Sequence, residues 1–191
     1  FYKVGDNEVP TNPPVQTFYG IEDKALQVDG RGSLLQQKIT LEATLASGNT
    51  ARQVSDEKKS SSQKGWLVDL AWQTADGGPG PKGERVVARA TLRNDRVIFT
   101  TLIPAADPCA FGGSSFIMSL SRATGARLTY AFFDSDGNKL INDNDSLLSN
   151  GNRIPWSGLA DPDEGAIKGI VSLYRWICFA GSSGNTPTCV P

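Results

Sequence analysis

The amino-acid sequence predicts an all-β fold. Apolar residues recur with a period of two along several short runs. Turn-forming residues separate those runs, and no segment sustains a helical period. The 191 residues include 20 Gly and 11 Pro, a composition suited to many tight connections.

The runs follow in chain order. Between Leu35 and Leu45, Ile39, Leu41 and Ala43 alternate with Lys38, Thr40, Glu42 and Thr44, as in a half-buried strand. Residues 53–64, QVSDEKKSSSQK, have no apolar period beyond Val54 and read as a solvated loop. In residues 65–72, Trp66, Val68, Leu70 and Trp72 fall on one face of a strand. In residues 96–103, Val97 and Phe99 share one face while Ile98 and Leu102 share the other, so that strand is expected to be buried on both sides. Phe116, Met118 and Leu120 alternate with Ser115, Ile117 and Ser119. Leu128, Tyr130 and Phe132 alternate with Arg127, Thr129 and Ala131, and Ile167, Val171 and Leu173 oppose Ile170 and Tyr174. Turn chemistry lies at 28–30, 75–81, 93–95, 112–113 and 124–125.

ERVVARATLRNDRVIFTTLIP reads as two strands around a tight turn, and GGSSFIMSLSRATGARL as a third strand ending near a Thr-Gly turn. That order is how a propeller blade reads, so the expected architecture is modified β-propeller blades of antiparallel strands. At about 40–45 residues per blade the chain holds three or four, a partial propeller. Residues 1–191 are treated as one domain segment. The chain begins at Phe1 without a signal-peptide pattern, as expected of a mature chain or a piece of a longer one.

The formal net charge is −1, and no basic excess points to nucleic acid. No apolar run is long enough for a transmembrane helix. Histidine is absent, which removes the commonest general base and the Ser-His and Cys-His nucleophile pairs, so no enzyme activity is expected. Of Cys109, Cys178 and Cys189, the pair Cys178–Cys189 is favoured, because it would close a Gly/Ser/Asn/Thr/Pro-rich C-terminal loop. Three free thiols are the alternative. Trp66, Trp72, Trp156 and Trp176 read as core packing rather than a sugar platform.

The chemistry concentrates in residues 134–145, DSDGNKLINDND, where seven of twelve residues are Asp or Asn. Calcium loops of the EF-hand type take ligands from positions 1, 3, 5, 7, 9 and 12. These positions fall on Asp134, Asp136, Asn138, Leu140 (through its carbonyl), Asn142 and Asp145. Lys139 stands where a turn glycine is usual, and Gly137 lies two residues before it. An all-oxygen, flexible donor set suits Ca²⁺ better than Mg²⁺. The competing reading is an Asx-rich turn without an ion. Asp161, Asp163 and Glu164 read as a surface turn, and the serines at 114–115 lack a histidine to activate them.

Residues 4–24 (VGDNEVPTNPPVQTFYGIEDK), 64–70 (KGWLVDL), 83–120 (GERVVARATLRNDRVIFTTLIPAADPCAFGGSSFIMSL) and the loop FFDSDGNKLINDND resemble the C-terminal domain of PilY-type pilus adhesins. The resemblance runs in order over almost the whole chain. It implies a modified β-propeller at the tip of type IV pili, secreted and surface-exposed. It also implies a calcium loop linked to control of pilus extension and retraction, twitching motility and attachment. Carried over, the ligands are Asp134, Asp136, Asn138, the Leu140 carbonyl and Asn142, with Asp145 as an extra candidate. The implied partners are minor pilins, a host or abiotic surface and the remainder of the same adhesin. The chain would be the C-terminal part of that propeller. A quinone-cofactor propeller dehydrogenase fragment and a dockerin-like docking module are the alternatives.

Overall fold

The structure, a computed structural model, describes residues 13–23, 25, 27–72, 82–105, 113–167, 169–173, 176–184 and 188–190. The described strands are β1 (Thr17–Ile21), β2 (Leu35–Thr44), β3 (Thr50–Val54), β4 (Gly65–Trp72), β5 (Thr91–Arg93), β6 (Arg96–Thr100), β7 (Ile117–Ser121), β8 (Ser146–Ser149), β9 (Asn152–Pro155), β10 (Gly158–Ala160), β11 (Ile170–Leu173), β12 (Trp176–Phe179) and β13 (Thr188–Val190). A 3-10 turn at Arg31–Ser33 is the only helix among the described residues. The all-β expectation therefore holds.

Eight strands form one curled sheet in the order β1-β4-β2-β3-β10-β7-β6-β5. All its pairings are antiparallel except β2 with β4. The meander β5-β6-β7 matches the expected strand-turn-strand-strand order, and Asn94, at φ 54°, turns the β5–β6 hairpin. The strands of the expected blades run on as one curled sheet: beyond β7 it continues through β10 into β3. Ser157 secures that seam. Its carbonyl accepts the Ser119 N–H, its N–H donates to the Arg52 carbonyl, and its hydroxyl accepts the Val54 N–H. Gly158 permits the close approach, since a Cβ there would lie 2.4 Å from the Met118 sulfur.

Each face of this sheet carries a core. Val97, Phe99, Met118 and Leu120 join Trp66, Val68 and Leu70 on one face, while Ile98 and Ile117 join Phe132, Phe133, Trp156, Ile177 and Phe179 on the other. The expected two-sided burial of β6 and the shared face of β4 are both present. Trp66 is seated against Gly125, whose φ is 67° and whose Cβ would come within 2.2 Å of the indole.

Several expectations need correction. Ile39 packs in the first core, but Leu41 and Ala43 lie against the second, because the β2–β3 register slips between Ile39 and Leu41. A one-residue slip exchanges the faces of every later side chain. Residues 127–132 are irregular rather than a strand; Leu128 and Phe132 still reach the second core, so their alternation records burial without ladder pairing. Ile167 precedes β11 and shares the second core with Ile170 instead of opposing it. The segment 53–64 begins buried at Gln53 and Ser55, and the Gln37 amide ties it down by donating to the Glu57 carbonyl and accepting its N–H. Trp66 and Trp156 are buried, whereas Trp176 is 51% exposed. Cys178 and Cys189 form a disulfide across directly paired residues of β12 and β13. Cys109, Gly112, Tyr174, Lys24, residues 4–12 and the turn at 75–81 lie outside the described residues.

Arg52, fully buried on β3, organises the first core. Its guanidinium donates to Glu84 at 2.7 and 2.9 Å and to Glu42 at 2.6 and 3.1 Å, and it lies 3.6 Å from the Phe116 ring centre. Burial opposes its charge, but Glu84 and Glu42 outweigh that effect and raise its pKa. Burial likewise opposes ionisation of Glu42, yet attraction and hydrogen bonding to Arg52, with help from Lys82, hold its carboxyl below the ordinary value. Removing one partner of such a network strands the others. Arg52→Ala should cost about 3–5 kcal/mol, read as a lower urea midpoint at unchanged slope. A carboxyl with a lowered folded pKa stabilises fully above its unfolded value and loses that stabilisation as pH falls through the folded one. Melting temperature should therefore decline below about pH 4.3, and Glu42→Gln should flatten that decline relative to wild type.

Candidate metal centre

Both ends of the acidic loop are anchored in the second core. Phe132 and Phe133, at 4.8 Å in a T-shaped contact, are buried just before Asp134, and Leu147 of β8 packs against the same cluster just after Asp145. The intervening residues 134–145 form bends and turns, with an irregular segment before and β8 after. This is not the helix-loop-helix setting of an EF-hand. Gly137 and Lys139 both take left-handed conformations, at φ 78° and 68°. The turn thus uses the displaced glycine and also forces Lys139 into a region disfavoured for residues with a Cβ.

Backbone N–H groups hold the carboxylates in place. Asp134 Oδ1 accepts from Gly137 and Asn138, and its Oδ2 accepts from Lys139 at 2.7 Å. Asp136 accepts the Asn138 N–H through Oδ1 and the Asn138 side-chain amide through Oδ2. Asp145 is 1% exposed, and its Oδ1 accepts from Ser135 N at 2.6 Å, Ser135 Oγ and Asp136 N, while Oδ2 accepts from Asn142 N at 2.9 Å. Carboxylate oxygens of Asp134, Asp136 and Asp145 all lie within 4.8 Å of one another. Two oxygens on one calcium ion, each about 2.3–2.6 Å from it, stand no more than about 5 Å apart. Among the described residues no Lys or Arg side chain forms an ion pair with these three. Three negative groups at that spacing, one of them buried, fit a divalent cation bound by hard oxygens.

The remaining candidates line the same loop. Asn138 Oδ1 accepts the Leu140 N–H, and Asn142 Oδ1 accepts the Asn144 N–H, so both side chains close Asx turns. The Leu140 carbonyl accepts a long 3.5 Å contact from the Asn142 amide. Of the two closing candidates, the structure gathers Asp145 with Asp134 and Asp136. Sequence reasoning missed the supports: Ser135, whose hydroxyl and N–H hold Asp145; Ser47 in the β2–β3 turn, which donates to the Ser135 carbonyl at 3.0 Å; and Arg153 of β9, which donates to the Asp143 carbonyl at 2.7 Å. Ser135, between two ligand positions, carried the one signal inside the loop; Arg153 reaches in from the following hairpin and Ser47 from a turn 88 residues away. The weaker constellations do other work. Glu164 is buried and accepts the Gly181 N–H, Asp161 accepts the Asp163 N–H, and Ser115 accepts the Ile167 N–H.

The chain matches two type IV pilus biogenesis factor PilY1 homologues of Xylella fastidiosa. One is 36% identical over 124 residues, covering 64% of this chain and 10% of the relative; the other is 31% identical over 165 residues, covering 84% and 11%. PilY1 of Pseudomonas aeruginosa is 26% identical over 161 residues, covering 75% of this chain and 13% of the relative. The crystal structure of the P. aeruginosa PilY1 C-terminal domain superposes with a TM-score of 0.70 over 98% of this chain and 38% of that one, at 22% identity. The chain is a relative of the PilY1 C-terminal domain. No family model matches it. It spans 10–13% of the length of these curated PilY1 relatives. No helix among the described residues is long and apolar enough to cross a membrane.

Two substitutions separate the loop's own stability from metal binding. In chelator, Asp145→Ala should cost about 3 kcal/mol, because it strands buried donors; thermal unfolding reads it. Lys139→Gly should raise stability by about 1 kcal/mol by removing the left-handed penalty, measured in the same way.

Proposed function

We propose that this chain is a non-catalytic, calcium-binding segment of a type IV pilus tip-associated adhesin and biogenesis factor. The observation that carries the reading is the convergence of Asp134, Asp136 and Asp145 with no Lys or Arg ion pair among the described residues, on a fold shared with the PilY1 C-terminal domain. Asn138, the Leu140 carbonyl and Asn142 complete the proposed donor set around the same turn.

A bound cation would neutralise the mutual repulsion of the three carboxylates and tighten the loop between its two anchors. The loop then exists in two states, slack without calcium and rigid with it. In the proposed role this difference biases the pilus between extension and retraction and so affects twitching motility and surface attachment. The surroundings follow from the same reading: a position at the cell surface on the pilus tip, minor pilins and the rest of the adhesin as partners, and a host or abiotic surface as the target. The absence of histidine supports a binding role over catalysis. A visible absorption band in purified protein would instead favour the quinone-dehydrogenase alternative.

Calorimetric titration with calcium should give one saturable heat for wild type and none for Asp134→Ala. Calcium at about a hundred times its Kd should stabilise the wild type by about 2.7 kcal/mol. Absence of both effects overturns the reading. The same substitution in the full-length parent protein should alter the balance of pilus extension and retraction.

A further inference from the structure

We propose that the Cys178–Cys189 disulfide and the calcium loop are thermodynamically coupled, so that reduction of the disulfide weakens calcium binding. The inference rests on the calcium reading above and adds a redox control to that site. One cavity of about 520 Å³ is lined both by Phe133, Asp134 and Lys139 and by Trp176, Phe179 and Cys189 of the C-terminal sheet. Phe133 is buried in the same core as Ile177 and Phe179 of β12, and the next residue along the chain is Asp134. The position of β12 therefore bears directly on the position of the first carboxylate.

Among the described residues the C-terminal sheet has three short strands, in the order β11-β12-β13. Among the described residues β13 pairs with β12 alone, through Ile177↔Val190, Cys178↔Cys189 and Phe179↔Thr188, and the disulfide joins the central pair of these three. A strand this short holds few ladder hydrogen bonds, so the covalent link has a large share in keeping it paired. Cys189 is exposed, within reach of a small dithiol. One thiolate of the dithiol attacks a disulfide sulfur and its second thiol resolves the mixed disulfide. Two electrons and two protons pass to Cys178 and Cys189, and the dithiol leaves as a cyclic disulfide. Release of β13 loosens the Phe179 wall and, through Phe133, the preset position of Asp134.

Coupling of this kind is reciprocal: the factor by which reduction weakens calcium binding equals the factor by which calcium disfavours reduction. The test measures both in the full chain. Calcium affinity is compared between the oxidised protein and the Cys178→Ser, Cys189→Ser double variant. Separately, oxidised protein is equilibrated with dithiothreitol at zero and saturating calcium, and thiols at Cys178 and Cys189 are counted by mass spectrometry of alkylated peptides. The expected result is an affinity loss of about fivefold or more, with a matching shift in the exchange equilibrium. Equal affinities and an exchange equilibrium indifferent to calcium overturn the coupling while leaving the calcium site intact. No calcium heat from the oxidised protein overturns the calcium reading itself. If the double variant does not fold, the exchange measurement on wild type decides alone.

Discussion

A buried arginine constrains the whole of the large sheet. Arg52 lies inside the first core, where an uncompensated charge would cost several kcal/mol. Its compensation comes from Glu42, directly opposite on β2, and from Glu84 beyond β4 in the chain. The stack on Phe116, just before β7, uses the remaining face of the guanidinium. Segments far apart in sequence must therefore stand in one arrangement for the charge to be tolerated. The Arg52 carbonyl also receives the Ser157 N–H, so the same residue helps to join the two halves of the sheet at β10.

That seam decides where the acidic loop can sit. β10 holds β7 to β3 and closes the second core between the sheet and the C-terminal strands. Phe132 and Phe133 enter that core from one end of the loop, and Leu147 from the other. The carboxylates gather because their flanks are pinned a short distance apart and backbone N–H groups inside the loop aim them inward. A turn from the other end of the chain, at Ser47, touches the loop from outside. The loop is a local motif with a tertiary mounting.

Much of this was legible in the residues. The two-sided burial of β6, the apolar face of β4, the Asn94 hairpin and the disulfide pair could each be read from spacing or turn chemistry. Those features depend on neighbours in sequence, where side-chain period and turn residues act directly. The loop's Asx turns were legible for the same reason, since alternating Asp and Asn side chains accept backbone N–H groups two residues on. Alternation misled at residues 127–132 and across β2. It reports which side chains are buried, but not whether a partner strand supplies hydrogen bonds or where a bulge reverses the faces. The continuity of the sheet was not legible, because one strand meander looks the same whether its outer edge is free or joined to β10.

The sequence by itself determined the all-β class, the strand-forming segments and an oxygen-rich loop suited to a hard cation. These follow from local periodicity, backbone preference and donor chemistry. Only the tertiary structure decided that the strands run on into one curled sheet, that Arg52 is satisfied by two glutamates, and that Asp145 stands with Asp134 and Asp136. The first two are meetings of groups far apart in the chain, and the third depends on the tertiary pinning of the loop's flanks. Such meetings are selected by the collective need to bury apolar surface without stranding a charge or a hydrogen bond, and no single stretch of sequence carries that information.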